Sequence, residues 1–226
     1  MPHSSLSSSP RILVAFAAFL VPAFARAQAD ARAGDRLWGA WVGFSFDSPI
    51  DTYWGGTTRG RSLLLTGVRV HYVVETVRGL AIAYTADVIP AAVVSDNPRW
   101  RWHEMHADGF VYEFKDTVDS TSVYGAGISP LGLHLSAPVW RGVRVFGAGS
   151  VGGIWFTREM PVPYARSFNY ALDFGGGLDV GAGATHVVVI GFKVHHLSNM
   201  NAARANPGLD GHVFYLGVMR RRKPAP

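Results

Sequence analysis

Apolar and polar residues alternate through most of the chain with a period of two, the repeat of a β-strand whose two faces meet different surroundings. From Arg36 to Phe46 one face carries Trp38, Ala40, Val42, Phe44 and Phe46, and the other carries small or polar residues apart from Trp41. From Ser62 to Glu75, the residues Leu64, Val68, Val70, Tyr72 and Val74 share a face opposite Gly67, Arg69, His71 and Glu75. Leu80 to Val88 sets Leu80, Ile82, Tyr84, Ala86 and Val88 against Ala81, Ala83, Thr85 and Asp87. The same repeat marks Ser122 to Leu135, Val143 to Thr157, Ser167 to Val180, Val187 to Ser198 and His212 to Met219, which makes eight segments of strand length. Glycine interrupts several of them, as it does where barrel strands bend or pack closely.

The connections alternate as well. Short stretches, "TVRG", "SAPVWRG" and "GAGAT", follow the second, fourth and sixth segments. Longer ones, Asp47 to Arg61, Pro90 to Thr121, Arg158 to Arg166 and Asn199 to Gly211, follow the first, third, fifth and seventh. Short turns at one end and long loops at the other are the pattern of an outer-membrane barrel. The expected fold is therefore all-β, an eight-stranded antiparallel transmembrane β-barrel with both termini at the short-turn, periplasmic end. The competing architecture is a soluble β-sandwich or a small ligand-binding barrel, which the one-sided apolar rows and the loop alternation disfavour. The stretch "NPRWRWHEMHADGFVYEF" within the third connection reads as an exposed loop, its aromatic and Arg residues suited to the headgroup level or to a lid. His103, Glu104 and His106 make a poor ligand set there, and no metal site is expected.

Composition sharpens this picture. The N-terminal "SSSPRILVAFAAFLVPAFARAQA" joins a basic residue, Arg11, to an apolar core from Ile12 to Phe24 and a small-x-small site, Ala25-Arg26-Ala27. These are the parts of a secretory signal peptide, cut after Ala27, which leaves residues 28–226 as the barrel domain. No later apolar run is long enough to cross a bilayer as a helix. Yet 48% of the residues are hydrophobic, with 26 Gly, 7 Trp, 8 Tyr and 13 Phe, a combination that strands rather than helices carry across a membrane. The absence of cysteine excludes disulfides and a thiolate nucleophile. The formal charge of +5 suits anionic headgroups. No nucleic-acid-binding motif is present.

The chemistry sits at the end of the seventh segment. One row reads Val188, Ile190, Phe192, Val194, His196, Ser198, and the other reads Val187, Val189, Gly191, Lys193, His195, Leu197. Lys193 needs the polar interior, so the first row faces lipid and places His196 and Ser198 at its outer end. Residues two apart rise about 6.6 Å along a strand, a gap that an imidazole and a hydroxymethyl group can close. Asp210 has the parity of the outward row of the eighth segment (His212, Phe214, Leu216, Val218), and the hairpin brings it beside His196. A serine needs a base to take its proton, and the base needs a carboxylate to fix its tautomer. Polar residues are also common where strands leave a membrane, so this pattern alone leaves a purely structural rim open. By the same parity His195 is an interior hydrogen-bonding residue, His212 a rim residue or second partner of Asp210, Arg204 a solvated loop residue or a phosphate partner, and Asn206-Pro207-Gly208 a turn.

The residues "HHLSN" at His195 to Asn199, "NPGLD" at Asn206 to Asp210 and "FYLGV" at Phe214 to Val218 resemble those of the outer-membrane acyloxyacyl hydrolase-like proteins, which include the PagL-type lipid A deacylases. "GISPLGLHL" from Gly127 and the Arg-Ser-Leu-Leu-Leu run from Arg61 extend the resemblance over most of the mature chain. The resemblance implies an eight-stranded barrel that hydrolyses an ester-linked acyl chain of lipid A, or another outer-leaflet lipid, at its lipid-facing surface without metal or organic cofactor. It further implies His196 as the base, Ser198 as the nucleophile, Asp210 as the acid and Asn199 as the oxyanion donor. The deacylases carry Glu at the Asp210 position and Gly at the Asn201 position, and here the chain runs on into "RRRKPAP". Two other functions are compatible with the same scaffold: a non-enzymatic adhesin or structural barrel, and an acyltransferase.

Overall fold

The computed structural model describes residues 31–49, 56–58, 60–96, 102–107, 110–115 and 122–222. The expected leader, residues 1–27, and the end of the basic tail lie outside the described residues. The described residues form ten strands: β1 (Arg36–Ser45), β2 (Arg61–Val77), β3 (Leu80–Asp96), β4 (Trp102–Ala107), β5 (Phe110–Lys115), β6 (Val123–Trp140), β7 (Val143–Met160), β8 (Arg166–Ala182), β9 (His186–Ser198) and β10 (Leu209–Arg222). Eight of them close into a barrel in the order β1-β10-β9-β8-β7-β6-β3-β2, every neighbour antiparallel.

The strands outrun the alternating segments. β3 continues through Pro90, which sits at a register shift between Ile89 and Ala92, where a missing N–H removes no ladder bond. β6 takes Pro130 and Pro138 at two further shifts. The stretch "SAPVWRG" is therefore mostly strand, and its turn is Arg141-Gly142. The connection Arg78-Gly79 has φ of 50° and 88°, the left-handed pair that lets a two-residue hairpin match the strand twist. The third connection is not one loop: β4 and β5 form a separate hairpin within it. The side chains of His103, Glu104 and His106 lie outside the described ones. A bulge between Val73 and Glu75 turns Glu75 outward, against the parity expected for it.

The outer face is an apolar belt. Val42, Val68, Val70, Val88, Ile128, Leu133, Ile190, Leu216 and Val218 are all exposed, on every side of the ring. A closed sheet with such a belt leaves no backbone edge unpaired and suits hydrocarbon outside.

The interior is polar and packed. Arg69 grips Asp87 through Nε and a terminal nitrogen at 2.8 and 2.7 Å, and Trp41 Nε1 donates to the same carboxylate at 3.1 Å. Asp173 accepts from Lys193 at 2.9 Å and from Ser150 at 3.2 Å, and pairs with His195 Nδ1 at 2.7 Å. The Lys193 ammonium also lies 4.3 Å from the Trp41 ring centre. Trp41, which broke the alternation in the sequence, is thus the interior's central aromatic. Gly67 gives it room, since a Cβ there would stand 2.2 Å from the indole.

Removing one member of a buried charge cluster leaves the others uncompensated. Asp173→Ala is expected to lower barrel stability by about 3–5 kcal/mol, read by urea unfolding in lipid vesicles. Unchanged stability would mean that the interior charges are solvated rather than paired.

Candidate active site

β9 and β10 run side by side with Asp210 directly opposite His196, Gly211 opposite His195 and His212 opposite Val194. Lys193 and His195 are buried in the lumen, whereas His196 and Ser198 belong to the outward row with Ile190 and Phe192. His196 Nδ1 lies 2.5 Å from Asp210 Oδ1. Asp210 is fully buried, and the His196 side chain is 17% exposed. This contact suits the tautomer with its hydrogen on Nδ1, which donates to the carboxylate and leaves Nε2 with a lone pair.

Asp210 is shorter than the Glu of the resembling family, and the fold compensates from a distance. The 56–58 segment, from the loop between β1 and β2, lies along Pro207–Asp210. Thr57 N–H donates to Pro207 O at 2.7 Å, Thr58 N–H to Gly208 O at 3.3 Å, and Thr58 forms a parallel bridge with Leu209. Gly56 N–H donates to Asp210 Oδ2 at 3.2 Å. A Cβ on Gly56 would stand 2.5 Å from that oxygen, so only glycine fits. One carboxylate oxygen is thereby held by His196 and the other by a backbone N–H from a different hairpin.

Ser198 lies two residues beyond His196, at the mouth of the β9–β10 loop and opposite Tyr170 of β8. Its Oγ accepts from Met200 N–H at 3.1 Å and meets the Asn206 amide on both sides, Oδ1 at 3.2 Å and Nδ2 at 3.1 Å. Among the described residues, no hydrogen bond joins Ser198 to His196. Asn206 Nδ2 also donates to Asn201 Oδ1 at 3.0 Å, and Asn206 Oδ1 accepts Asn199 N–H at 2.9 Å. Asn206 is the organising side chain of the loop. Its place in an Asn-Pro-Gly turn accounted for it on turn chemistry alone, so nothing local singled it out.

Asn199, the expected oxyanion donor, is buried, and its Nδ2 donates to Ala205 O at 2.7 Å. The structure does not bring that amide to Ser198. Met200 and Asn201 have φ of 55° and 59°. Asn adopts this left-handed region readily, which lets Asn201 stand where the deacylases have Gly. His212 rests against Phe192 with ring centres 5.7 Å apart, and Arg204 is exposed in the loop. Aromatic rings flank the site on both sides: Trp155, Phe168 and Tyr170 in one chain of contacts, and Phe192 and Phe214 in another.

A family model described as lipid A 3-O-deacylase (PagL) matches residues 91–219, more than half of the chain, including the whole stretch from His196 to Asp210. The chain belongs to this family. With the apolar belt, membership places the barrel in an outer membrane. No curated protein matches the chain. Similar solved structures include the outer membrane protein OprG from Pseudomonas aeruginosa, with 10% identity, coverage of 87% of this chain and 100% of that one, and a TM-score of 0.41. Ail of Yersinia pestis, crystallised with the heparin analogue sucrose octasulfate, shows 11% identity over 84% and 99% of the chains with a TM-score of 0.44. AlkL, determined in DMPC bilayers, shows 10% identity over 100% and 99% with a TM-score of 0.42.

The Gly56 contact is checked by the His196 Nδ1–H proton resonance. In the native protein it is expected far downfield, as a short bond to a buried carboxylate requires. Gly56→Ala is expected to shift it upfield and Asp210→Ala to abolish it, in barrels that still assemble. A resonance unmoved by Gly56→Ala would mean that the 56–58 segment does not set the carboxylate.

Proposed function

We propose that this barrel is a serine esterase that removes an ester-linked acyl chain from lipid A in the outer leaflet, the activity named by its family. The observation that carries the reading is the His196–Asp210 pair with Ser198 two residues along the same lipid-facing row. A soluble esterase must lift its substrate into a pocket. Here the substrate already lies against the wall, and the site is at the depth where strands leave the hydrocarbon.

In this mechanism Ser198 Oγ attacks the ester carbonyl carbon while His196 Nε2 takes its proton. Asp210 holds the tautomer and stabilises the imidazolium. The tetrahedral intermediate collapses, the C–O bond to the sugar breaks, and His196 returns the proton to the leaving hydroxyl. Water, giving its proton to His196, then attacks the acyl-serine carbonyl; the C–Oγ bond breaks, His196 returns the proton to Ser198 Oγ, and the fatty acid leaves. Before the first step Ser198 turns about χ1 from Asn206 toward His196. Catalytic hydrogen bonds commonly tighten only when substrate is bound.

The oxyanion needs donors close to Ser198. Met200 N–H and Asn206 Nδ2 are already within 3.1 Å of its oxygen. Asn199 joins them, as its family position implies, by exchanging Ala205 O for the oxyanion. The flanking aromatic rings give the departing acyl chain a surface to slide along. This chemistry requires no metal or organic cofactor, and its partner is a lipid rather than a protein or nucleic acid.

The bond between Ser198 and Asn206 also favours a second reading, a family barrel without hydrolytic activity. Mass spectrometry of outer-membrane lipid A from expressing cells separates the two. The native protein is expected to remove one acyl mass, and Ser198→Ala and His196→Ala to leave lipid A intact while the barrel assembles. Asp210→Ala is expected to slow release by about 10⁴-fold, the cost of losing the tautomer-fixing acid in such triads. Acyl loss that persists in Ser198→Ala overturns the mechanism, and unaltered lipid A with the native protein favours the inactive barrel. Transfer of the acyl group to another lipid rather than its release as free acid would make the enzyme a transferase.

A further inference from the structure

The barrel closes at the other end of the molecule on an arrangement that a sheet ordinarily avoids. Where β1 meets β10, Arg36 is directly opposite Arg222, and one row nearer the membrane centre Trp38 is opposite Arg220. On the far side of Arg220 comes His186 of β9. All three arginines are exposed on the outer face. Like charges directly opposite on one face repel, and among the described residues none of the three has an ion-pair partner. Arg221, between two of them in sequence, faces inward, and its Nε lies 3.7 Å from Asp35 Oδ2. The inward guanidinium therefore has a carboxylate and the outward ones do not. Glu75, the acid turned outward on β2, accepts its own strand's Thr76 N–H at 2.8 Å.

The floor of this patch is aromatic. Arg36 is also opposite Tyr72, and Tyr72 is opposite Tyr84, so a single row reads Tyr84, Tyr72, Arg36, Arg222 across four strands. The Arg36 guanidinium carbon lies 5.8 Å from the Tyr72 ring centre. A groove of about 580 Å³ runs here, with Arg36, Trp38, Val70, Tyr72, Tyr84 and Arg222 along it. Its lower part is apolar and continues the lipid-facing belt. Its upper part carries two guanidiniums at the level of the short turns, where Trp and Tyr rings settle at a membrane interface. Arg220, about 6.6 Å nearer the membrane centre along β10, reaches the same level by extending its side chain toward water.

We propose that this closing seam is a binding site for the phosphodiester of an anionic diacyl phospholipid in the periplasmic leaflet, held by Arg36 and Arg222 with Arg220 behind them. The phosphate supplies the charge that the facing arginines lack, and guanidinium forks suit it bidentately. The acyl chains lie in the groove over Trp38 and Val70. The site is independent of the ester chemistry at the opposite rim. It predicts that an anionic lipid clips the first and last strands together.

The test uses the full mature barrel in nanodiscs of phosphatidylcholine and phosphatidylglycerol, released into native mass spectrometry. Retention of phosphatidylglycerol over phosphatidylcholine on the order of tenfold is expected, from two basic residues at an anionic surface. Arg36→Gln with Arg222→Gln is expected to bring that preference close to one. A second double variant, Arg78→Gln with Arg141→Gln, removes the same charge from two exposed turns at the same end and is expected to keep the preference. Both variants are confirmed as assembled by heat-modifiable gel mobility. Equal retention of the two lipids by the native barrel overturns the proposal, as does equal loss in both variants, which would reflect overall charge. Added inorganic phosphate separates a lipid site from a free-anion site. Phosphatidylglycerol that stays bound supports the lipid, and its displacement by phosphate alone overturns the assignment.

Discussion

A peptide group inside hydrocarbon has no water to bond to, so every N–H and C=O on the wall of this protein must find its partner on a neighbouring strand. That requirement forces the sheet to close, and the pairing of β1 with β10 completes the ring. Closure then propagates into everything else. It fixes which residue of each strand faces its neighbour, and a slip of one residue would send every side chain to the wrong face. With Asp210 opposite His196, the same register sets Lys193 and His195 inward against Asp173. The buried charge cluster and the outward-row His–Asp pair are two consequences of one alignment of β9 with its neighbours.

The interior and the candidate site follow different rules. Inside, the carboxylates find their partners within the barrel: Asp87 with Arg69, Asp173 with Lys193 and His195, Asp179 with His134. Aromatic rings fill the remaining volume, and small residues such as Gly67 yield to them. At the rim, matching comes from loops. Asp210 takes one partner from β9 and another from the 56–58 segment, and Ser198 takes its partners from the β9–β10 loop. A second small cluster, Val162, Ala165 and Ala205, ties the β7–β8 loop to that same loop, with Ala205 N–H donating to Tyr164 O. The candidate chemistry therefore rests on three hairpin connections that lean on one another over a rigid wall. Such a base holds the groups in place.

The two ends of the barrel are chemically distinct. One carries the His–Asp pair framed by Phe192, Phe214, Tyr170 and Phe168. The other carries outward arginines above Trp38 and Tyr72. Both are places where a lipid's polar part would meet the protein while its chains lie against the belt. Facing arginines on a sheet are costly in isolation and are sensible next to phosphate.

Period-two alternation by itself determined the class of fold, the number of wall strands and the face of nearly every wall residue. It did so because the membrane outside and the polar lumen inside sort side chains at every step of the strand. Parity alone put His196, Ser198 and Asp210 on the outer surface and Lys193 and His195 within. It misjudged strand ends: Pro90 and Pro138 fall within the expected connections, but β3 and β6 run through them at register shifts, and one bulge turns Glu75 outward. It also passed over the β4–β5 hairpin, which forms a sheet of its own apart from the wall. What only the tertiary structure decided lies in the loops. Gly56 reaches Asp210 across 154 residues of sequence, Asn206 takes hold of Ser198, and Asn199 turns its amide to Ala205. Contacts of this kind depend on which connections crowd onto the same rim once the ring has closed, and no local repeat in the chain records that.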